Sequence, residues 1–281
     1  MNKTPIIRFP GMKPKAFTIS SDDGMETDLD FTALMKKYGM KGTFNLNTAF
    51  FSPDGAEIQP GRISRPMSVA ETVKLFSDPD FEVATHGHEH PDFTSISEEN
   101  IVRDITNNRI VLEAMFGKPV RGHAYPFGTH NDTVIKNLAS CGIVYARTCI
   151  HTEKFDIPED SEWLRWHPTA HLKYMGEELD RFISGVPERE ENAWLFYSWC
   201  HSYEFRQDNS WEKLEESFKR LRGEDNIWFA TNMEIYEYVR AFRNLVYSAD
   251  GTSVYNPSRF DVCLHYRDGI YEVKAGSSLR F

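Results

Sequence analysis

From Lys15 onward, short β-like apolar runs alternate with amphipathic stretches of helical length, the pattern of parallel strands joined by crossover helices. Strands are predicted at 16–20, 42–47, 81–85, 121–125, 143–147, 164–167, 193–200 and 227–231. Helices are predicted at 28–38, 68–76, 97–116, 132–140, 174–185, 210–221 and 232–245. Asp132 and Ser210 read as N-caps, and Gly39, Gly117 and Gly142 as C-terminal stops. Eight such strands predict a barrel of the (β/α)₈ kind or a distorted relative more than an open sheet. No phosphate-binding glycine fingerprint follows the first strand, which weakens a dinucleotide-binding alternative. After Ala249 the texture changes to short β-like runs at 252–256, 260–266, 270–274 and 278–281, with Asp268-Gly269 as a hairpin signal. The chain therefore reads as a barrel over 1–248 and a small antiparallel appendage over 249–281.

Composition narrows the partners. With 281 residues and 40% apolar content the chain can bury a full core, and its formal charge of -10 argues against a nucleic-acid or anionic-membrane partner. Small or neutral substrates fit better. Cys141, Cys149, Cys200 and Cys263 lack any C-x-x-C spacing and read as buried thiols, not as signs of an oxidising compartment. No signal-peptide pattern opens the chain and no run of about 18 apolar residues occurs, so the expectation is a cytoplasmic protein, or a secreted one if a leader has been removed. No pattern in the chain sets an oligomeric state.

The densest ligand chemistry lies at FEVATHGHEHPDF, residues 81–93, where His86, His88 and His90 follow a buried strand on a loop broken by Gly87 and Pro91. In one compact turn His86 and His90 face a common point while His88 faces away, so the H-x-x-x-H pair is the expected chelate. A catalytic centre of the zinc type takes three protein ligands and leaves a position open for water. The third is expected at Ser20-Ser21-Asp22-Asp23-Gly24, because adjacent carboxylates at the end of an apolar strand repel unless a cation neutralises one of them. Asp23 with His86 and His90 makes a two-His, one-carboxylate set, and Asp22 stands beside it as a base for bound water. Two more polar clusters close predicted strands, Tyr125-Pro126-Phe127-Gly128 and His201-Ser202. Parallel α/β folds place their sites at this end of the strands.

Taken together, SSDDG at 20–24, HGHEHPDF at 86–93, AYPFG at 124–128 and FYSWCHS at 196–202 resemble, in kind and order, the motifs of polysaccharide deacetylases of carbohydrate esterase family 4. The resemblance runs from Lys15 to about Tyr247 and leaves the appendage outside. It implies a distorted barrel of seven or eight β/α units and removal of an N-acetyl or related acyl group from an amino sugar. It also implies one divalent metal on Asp23, His86 and His90, Zn²⁺ first, with Co, Ni, Mn or Fe as alternatives. By the same resemblance Asp22 is the general base, His201 the general acid and Phe127 the residue whose backbone N–H helps an oxyanion hole, with Tyr125 beside it.

Two departures stand out. The family's third motif carries an Arg that orients the base, and here that position is Ala124; Arg147, at the next strand end, is the expected substitute. The family also supplies an Asp and a Trp to the acid His, and among Glu159, Asp160, Glu162 and Trp163 none has the spacing. His167 and His171 fall in a loop facing the site, where a solvated imidazole is the plainer reading. Two other functions compete: hydrolysis of a small non-sugar amide or ureide, and carbohydrate binding on an inactive scaffold. The coexistence of Asp22 and His201 argues against the second.

Overall fold

Strand β2 (Lys15–Asp22) is the axis of the molecule, buried at all eight positions in a computed structural model that describes residues 4–188 and 191–281. The chain starts with β1 (Ile6–Arg8) and, after β2, continues through β3 (Gly42–Leu46), β4 (Phe81–Thr85), β5 (Gly122–Ala124), β6 (Tyr145–Arg147), β7 (Ala170–His171), β8 (Trp194–Cys200) and β9 (Ile227–Phe229). Between them run α1 (Asp28–Lys37), α2 (Val69–Phe76), α3 (Glu98–Phe116), α4 (Asp132–Ser140), α5 (Gly176–Ser184), α6 (Tyr203–Gln207), α7 (Trp211–Arg222) and, after β9, α8 (Asn232–Arg243).

The parallel strands lie in the order β6-β5-β4-β3-β2-β8-β7, and these seven curl through 239° into an open barrel. β2 pairs with β8 along its length, with β3 at its carboxyl end and with β9 at its amino end. Period two explains its composition: Phe17 and Ile19 pack outward beneath the helices, while Ala16, Thr18, Ser20 and Asp22 alternate with them toward the interior. Each interior polar group is satisfied, Thr18 donating to Asn232 at 2.8 Å and Ser20 meeting the Tyr197 phenol at 3.1 Å.

The strand predicted at 164–167 is not there. Residues Trp163–Arg165 form a 3-10 turn, and only Trp166 touches the sheet, donating its N–H to Ala146 O at 2.9 Å. Pro168 ends pairing after it, and β7 begins two residues later. The aromatic character of this stretch serves packing: Trp163 and Trp166 are buried against Tyr145, Tyr197 and Tyr236. This irregular segment spans the seam between β6 and β7.

Asp132 is not the cap of α4; Asn131 is, accepting from the Val134 N–H at 2.9 Å. Ser210 stands at the start of α7 without a side-chain cap bond. Gly117 closes α3 in the left-handed conformation, φ +65°.

Beyond α8 the chain adds β10 (Val246–Tyr247), β11 (Ser253–Tyr255), β12 (Val262–Tyr266), β13 (Gly269–Val273) and β14 (Ser278–Arg280). They make two three-stranded antiparallel sheets, β1-β12-β13 and β10-β11-β14, so the C-terminal layer recruits a strand from the start of the chain. The hairpin turn is Arg267-Asp268, with Gly269 already paired to Tyr266. Tyr238 of α8 ties the layers together, donating to Arg8 O at 2.7 Å and accepting from the Cys263 N–H at 2.9 Å. Cys200 and Cys263 are buried, Cys141 and Cys149 half-buried, and all four are free thiols. No helix among the described residues is long and apolar enough to cross a membrane.

Candidate active site

β2 ends on Asp22, and the chain then turns through Asp23 (φ +79°) and Gly24 (φ +65°). A Cβ on Gly24 would stand 2.9 Å from the Leu46 side chain, so the turn needs a residue without one. This reversal leaves Asp22 2% exposed inside the barrel mouth and carries Asp23 to its rim. At the end of β4, His86 Nδ1 lies 2.8 Å from Ala124 O; a carbonyl only accepts, so the ring proton sits on Nδ1 and the Nε2 lone pair faces the cleft. Nε2 is 3.7 Å from Asp22 and 3.8 Å from Asp23. Burial holds the imidazole below its ordinary pKa, against the pull of both carboxylates, which keeps it a neutral donor.

His90 completes the group from a left-handed position, φ +52°, and the donor atoms of Asp23, His86 and His90 lie within 4.8 Å of one another. His88 takes the other side of the loop. Its ring meets Thr48 at 2.7 Å and its backbone N–H donates to Asp104 at 2.7 Å, so it braces the loop. The donor set fits a divalent metal: one carboxylate, one imidazole with its tautomer fixed by a carbonyl, and a second imidazole beside it.

Asp22 is held from two sides. Asn45 donates to one oxygen at 2.8 Å, and the Arg147 guanidinium pairs with the other. Burial alone would raise its pKa, but Arg147, His86 and His201 outweigh that and bring it down to about 2. Arg147 is itself fully buried and lies over the Trp199 ring at 4.3 Å. In the β5–β6 ladder Arg147 is the register partner of Ala124. The guanidinium absent at Ala124 is thus supplied from the paired position on the neighbouring strand.

His201 follows β8 with Nε2 3.9 Å from Asp23 and Nδ1 3.6 Å from Glu204. Glu204 also accepts from the His201 backbone N–H at 3.2 Å and stands 3.1 Å from His171 Nε2. The Lys173 N–H donates to His171 Nδ1 at 3.3 Å, so a neutral His171 carries its proton on Nε2 and donates it to Glu204. That proton argues against reading His171, His201 and Glu204 as a second cation site, although their donor atoms also converge. Burial lowers the His201 pKa, but Glu204, Asp22 and Asp23 more than offset it and hold the imidazole above its ordinary value.

None of the carboxylates considered for His201 reaches it. Asp160 is held on the surface by Arg240 at 2.9 Å and Arg243 at 2.6 Å, Glu159 lies 3.8 Å from Arg243, and Trp163 packs in the core. The signal was the H-x-x-E spacing at the start of α6, which puts the two side chains on one turn. Tyr125 is displaced from the expected role as well: its ring is fully buried and its phenol donates to Leu164 O at 2.8 Å, so its side chain offers a substrate nothing. Phe127, φ +59° and 67% exposed, packs its ring T-shaped with that of His90, centroids 4.7 Å apart. His167 turns to Thr148 at 2.6 Å. A cavity of about 630 Å³ opens over Asp23 and His90, lined further by Asn47, Phe50, Arg62 and Tyr203.

Behind the carboxylate pair, Asp28 is buried and accepts from Ser21 at 3.0 Å. Burial, with some help from Asp23 and Asp22 and against hydrogen bonds from Ser202 and Ser21, pushes its pKa up to about 7. A carboxyl group raised on folding costs nothing below its unfolded pKa and destabilises progressively as pH rises toward the folded value. Asp28→Asn should therefore stabilise the chelated protein at pH 8 more than at pH 5, by on the order of 3 kcal/mol. Equal changes in Tm at both pH values would contradict a neutral Asp28.

Residues 10–146 match the polysaccharide deacetylase family. The resemblance to polysaccharide deacetylases is thereby borne out over the first three motifs; the matched segment includes Asp22, Asp23, His86 and His90 and ends before His201. No curated protein matches the chain in sequence. Among solved structures, a Mycobacterium smegmatis protein assigned to the polysaccharide deacetylases matches at TM-score 0.56 and 16% identity, over 86% of this chain and 96% of that one. A carbohydrate esterase family 4 pseudoenzyme from Bacillus anthracis matches at TM-score 0.51 and 17% identity, over 84% and 69%. The Streptococcus pyogenes deacetylase PplD matches at TM-score 0.41 and 21% identity, over 47% of this chain and 55% of its own length. The first two likenesses establish the polysaccharide deacetylase fold. A fold that also hosts a pseudoenzyme leaves activity to be argued from the side chains.

Proposed function

We propose that the protein is a divalent-metal-dependent hydrolase that removes an N-acetyl or related acyl group from an amino sugar or polysaccharide. The observation that carries this reading is the convergence of an arginine-paired Asp22, the Asp23–His86–His90 triad and the Glu204-backed His201 at one barrel mouth. An inactive scaffold has no use for a base and an acid both set beside a donor triad.

Asp23, His86 and His90 would hold the ion, Zn²⁺ first, with Co, Ni, Mn or Fe as alternatives. When bound it polarises the acyl carbonyl and acidifies water from pKa ~15.7 toward ~7. Asp22 takes the water proton, its oxygens fixed by Asn45 and Arg147 so that the accepting lone pair points to the cleft. Its low pKa keeps it ionised at any working pH, though it also makes it a weak base, so the chemistry depends on the acidity of the water. His201 passes the Nε2 proton to the departing amine, while Glu204 takes the Nδ1 side and stabilises the imidazolium. The backbone N–H of Phe127 adds a donor for the developing oxyanion. The substrate is a carbohydrate or a small amide.

The test is acetate release by the purified protein with Zn²⁺ or Co²⁺ from an N-acetylglucosamine oligomer, beside a panel of small amides and ureides such as allantoin. Release from the oligomer is expected. Turnover of the small compounds alone would move the function to amide or ureide hydrolysis, and a metal-loaded protein that turns over nothing would end the catalytic reading.

A further inference from the structure

The cations bordering the cleft are nearly all committed. Arg147 is paired with Asp22, Arg65 with Glu71 at 2.6 Å, and Arg206 with Glu26 and, at 3.3 Å, Asp30. Arg62 is the exception. It is exposed, lines the same cavity as Asp23 and His90, and has no side-chain hydrogen bond or ion pair among the described residues. Glu89 lines that cavity too, yet the two make no ion pair, so the opposite charges face the ligand space separately.

Arg62 stands on the long connection between β3 and α2, and its support is firm. Just beyond it, Ile63 O accepts from Arg206 at 3.0 Å, Arg65 O accepts from the Glu26 N–H at 2.9 Å, and the Met67 N–H donates to Gly24 O at 2.9 Å. The segment carrying Arg62 is thus stitched to the turn that carries Asp23, and through Arg206 to α6, which carries Glu204. A guanidinium so placed presents a planar fork of donors that matches a carboxylate two bonds at a time. The surrounding charge limits the partner further. At a formal net charge of -10 the protein repels a dense polyanion, whereas a single carboxylate inside the cleft is screened from remote charges beyond ~8 Å and meets Arg62 directly. Phe50, 48% exposed, and Tyr203 add aromatic surface to the same cavity.

We infer that the preferred substrate is an acetylated amino sugar that bears, or is linked to, a sparsely placed carboxylate, and that Arg62 receives this carboxylate while the acyl group lies at the triad. This rests on the hydrolase reading of the same cleft. A neutral acetylated oligomer remains a poorer substrate.

The test uses an oligosaccharide alternating N-acetylglucosamine with glucuronic acid, the same oligosaccharide with its carboxyl groups reduced to alcohols, and a densely sulfated form. Equilibrium binding to the metal-loaded protein and acetate release are measured separately. The carboxylated form should bind, and be turned over in kcat/KM through KM, about tenfold better than the reduced one, the size expected of a charge-assisted hydrogen bond. Arg62→Gln should abolish that preference without changing the constants for the reduced form, and Arg62→Lys should keep part of it. A wild-type protein without preference, binding of neither form, equal losses on both in Arg62→Gln, or tightest binding of the sulfated form would overturn the inference. A binding preference without acetate release would keep the Arg62 assignment and remove the hydrolase reading.

Discussion

Asp22→Asn should lower turnover by roughly 10² to 10⁴ while the protein keeps its metal. The amide keeps the shape and can still accept from Arg147, but it cannot take a proton from water. The variant also leaves Arg147 fully buried without its counter-charge, a change of the kind that costs about 3–5 kcal/mol, so Tm must be measured beside the rate. A folded, metal-loaded Asp22→Asn with near wild-type turnover would remove the base from the scheme. His201→Ala should fall by a similar factor, whereas a protein that only binds sugar would bind it equally well with either change. Glu204→Gln provides a pH readout. Removing the carboxylate that raises the His201 pKa lowers it, so the protonated acid is lost at lower pH and the alkaline limb of the rate profile moves down. An unmoved limb would mean that Glu204 does not govern the acid.

Loss of stoichiometric metal is the expected result for Asp23→Ala, His86→Ala and His90→Ala, with activity falling to background in each. His88→Ala should keep the ion, because its ring is turned to Thr48 and its contribution is to the loop. Elemental analysis after dialysis decides the matter. Metal retained by His90→Ala and lost by His88→Ala would reverse the ligand assignment. In the wild type, a chelator should lower Tm, since ligand binding to the folded state alone stabilises by RT ln(1 + [L]/Kd). Removal of any one of the three ligands should abolish that difference.

The barrel was legible in the chain because its strands are buried on both faces and its helices on one, so period and length report directly on the environment. The predicted strand at 81–85 coincides with β4, and that at 16–20 lies within β2. Stretches whose apolar residues serve packing without pairing misled: 164–167 is aromatic because the seam of the open barrel must be filled. Strand β1 was missed because its partner, β12, lies some 250 residues away, and three residues carry no period of their own.

At the site, the sequence by itself determined which chemistry each strand end offers: two carboxylates at the end of β2, imidazoles after β4, an imidazole after β8. Spacing within one loop also separated His88 from its neighbours, because a tight turn decides which way alternate side chains face. Only the tertiary structure decided the pairings. Arg147 meets Asp22, and His171 meets His201 through Glu204, because the curl of the sheet brings the ends of β2, β6, β7 and β8 to one mouth. It likewise took Tyr125 out of the cleft, since its ring fills the space between β5 and the 163–166 turn. Local pattern records what a residue can do; the distance that lets it act on another residue is set by strand order and sheet curvature, which no local spacing encodes.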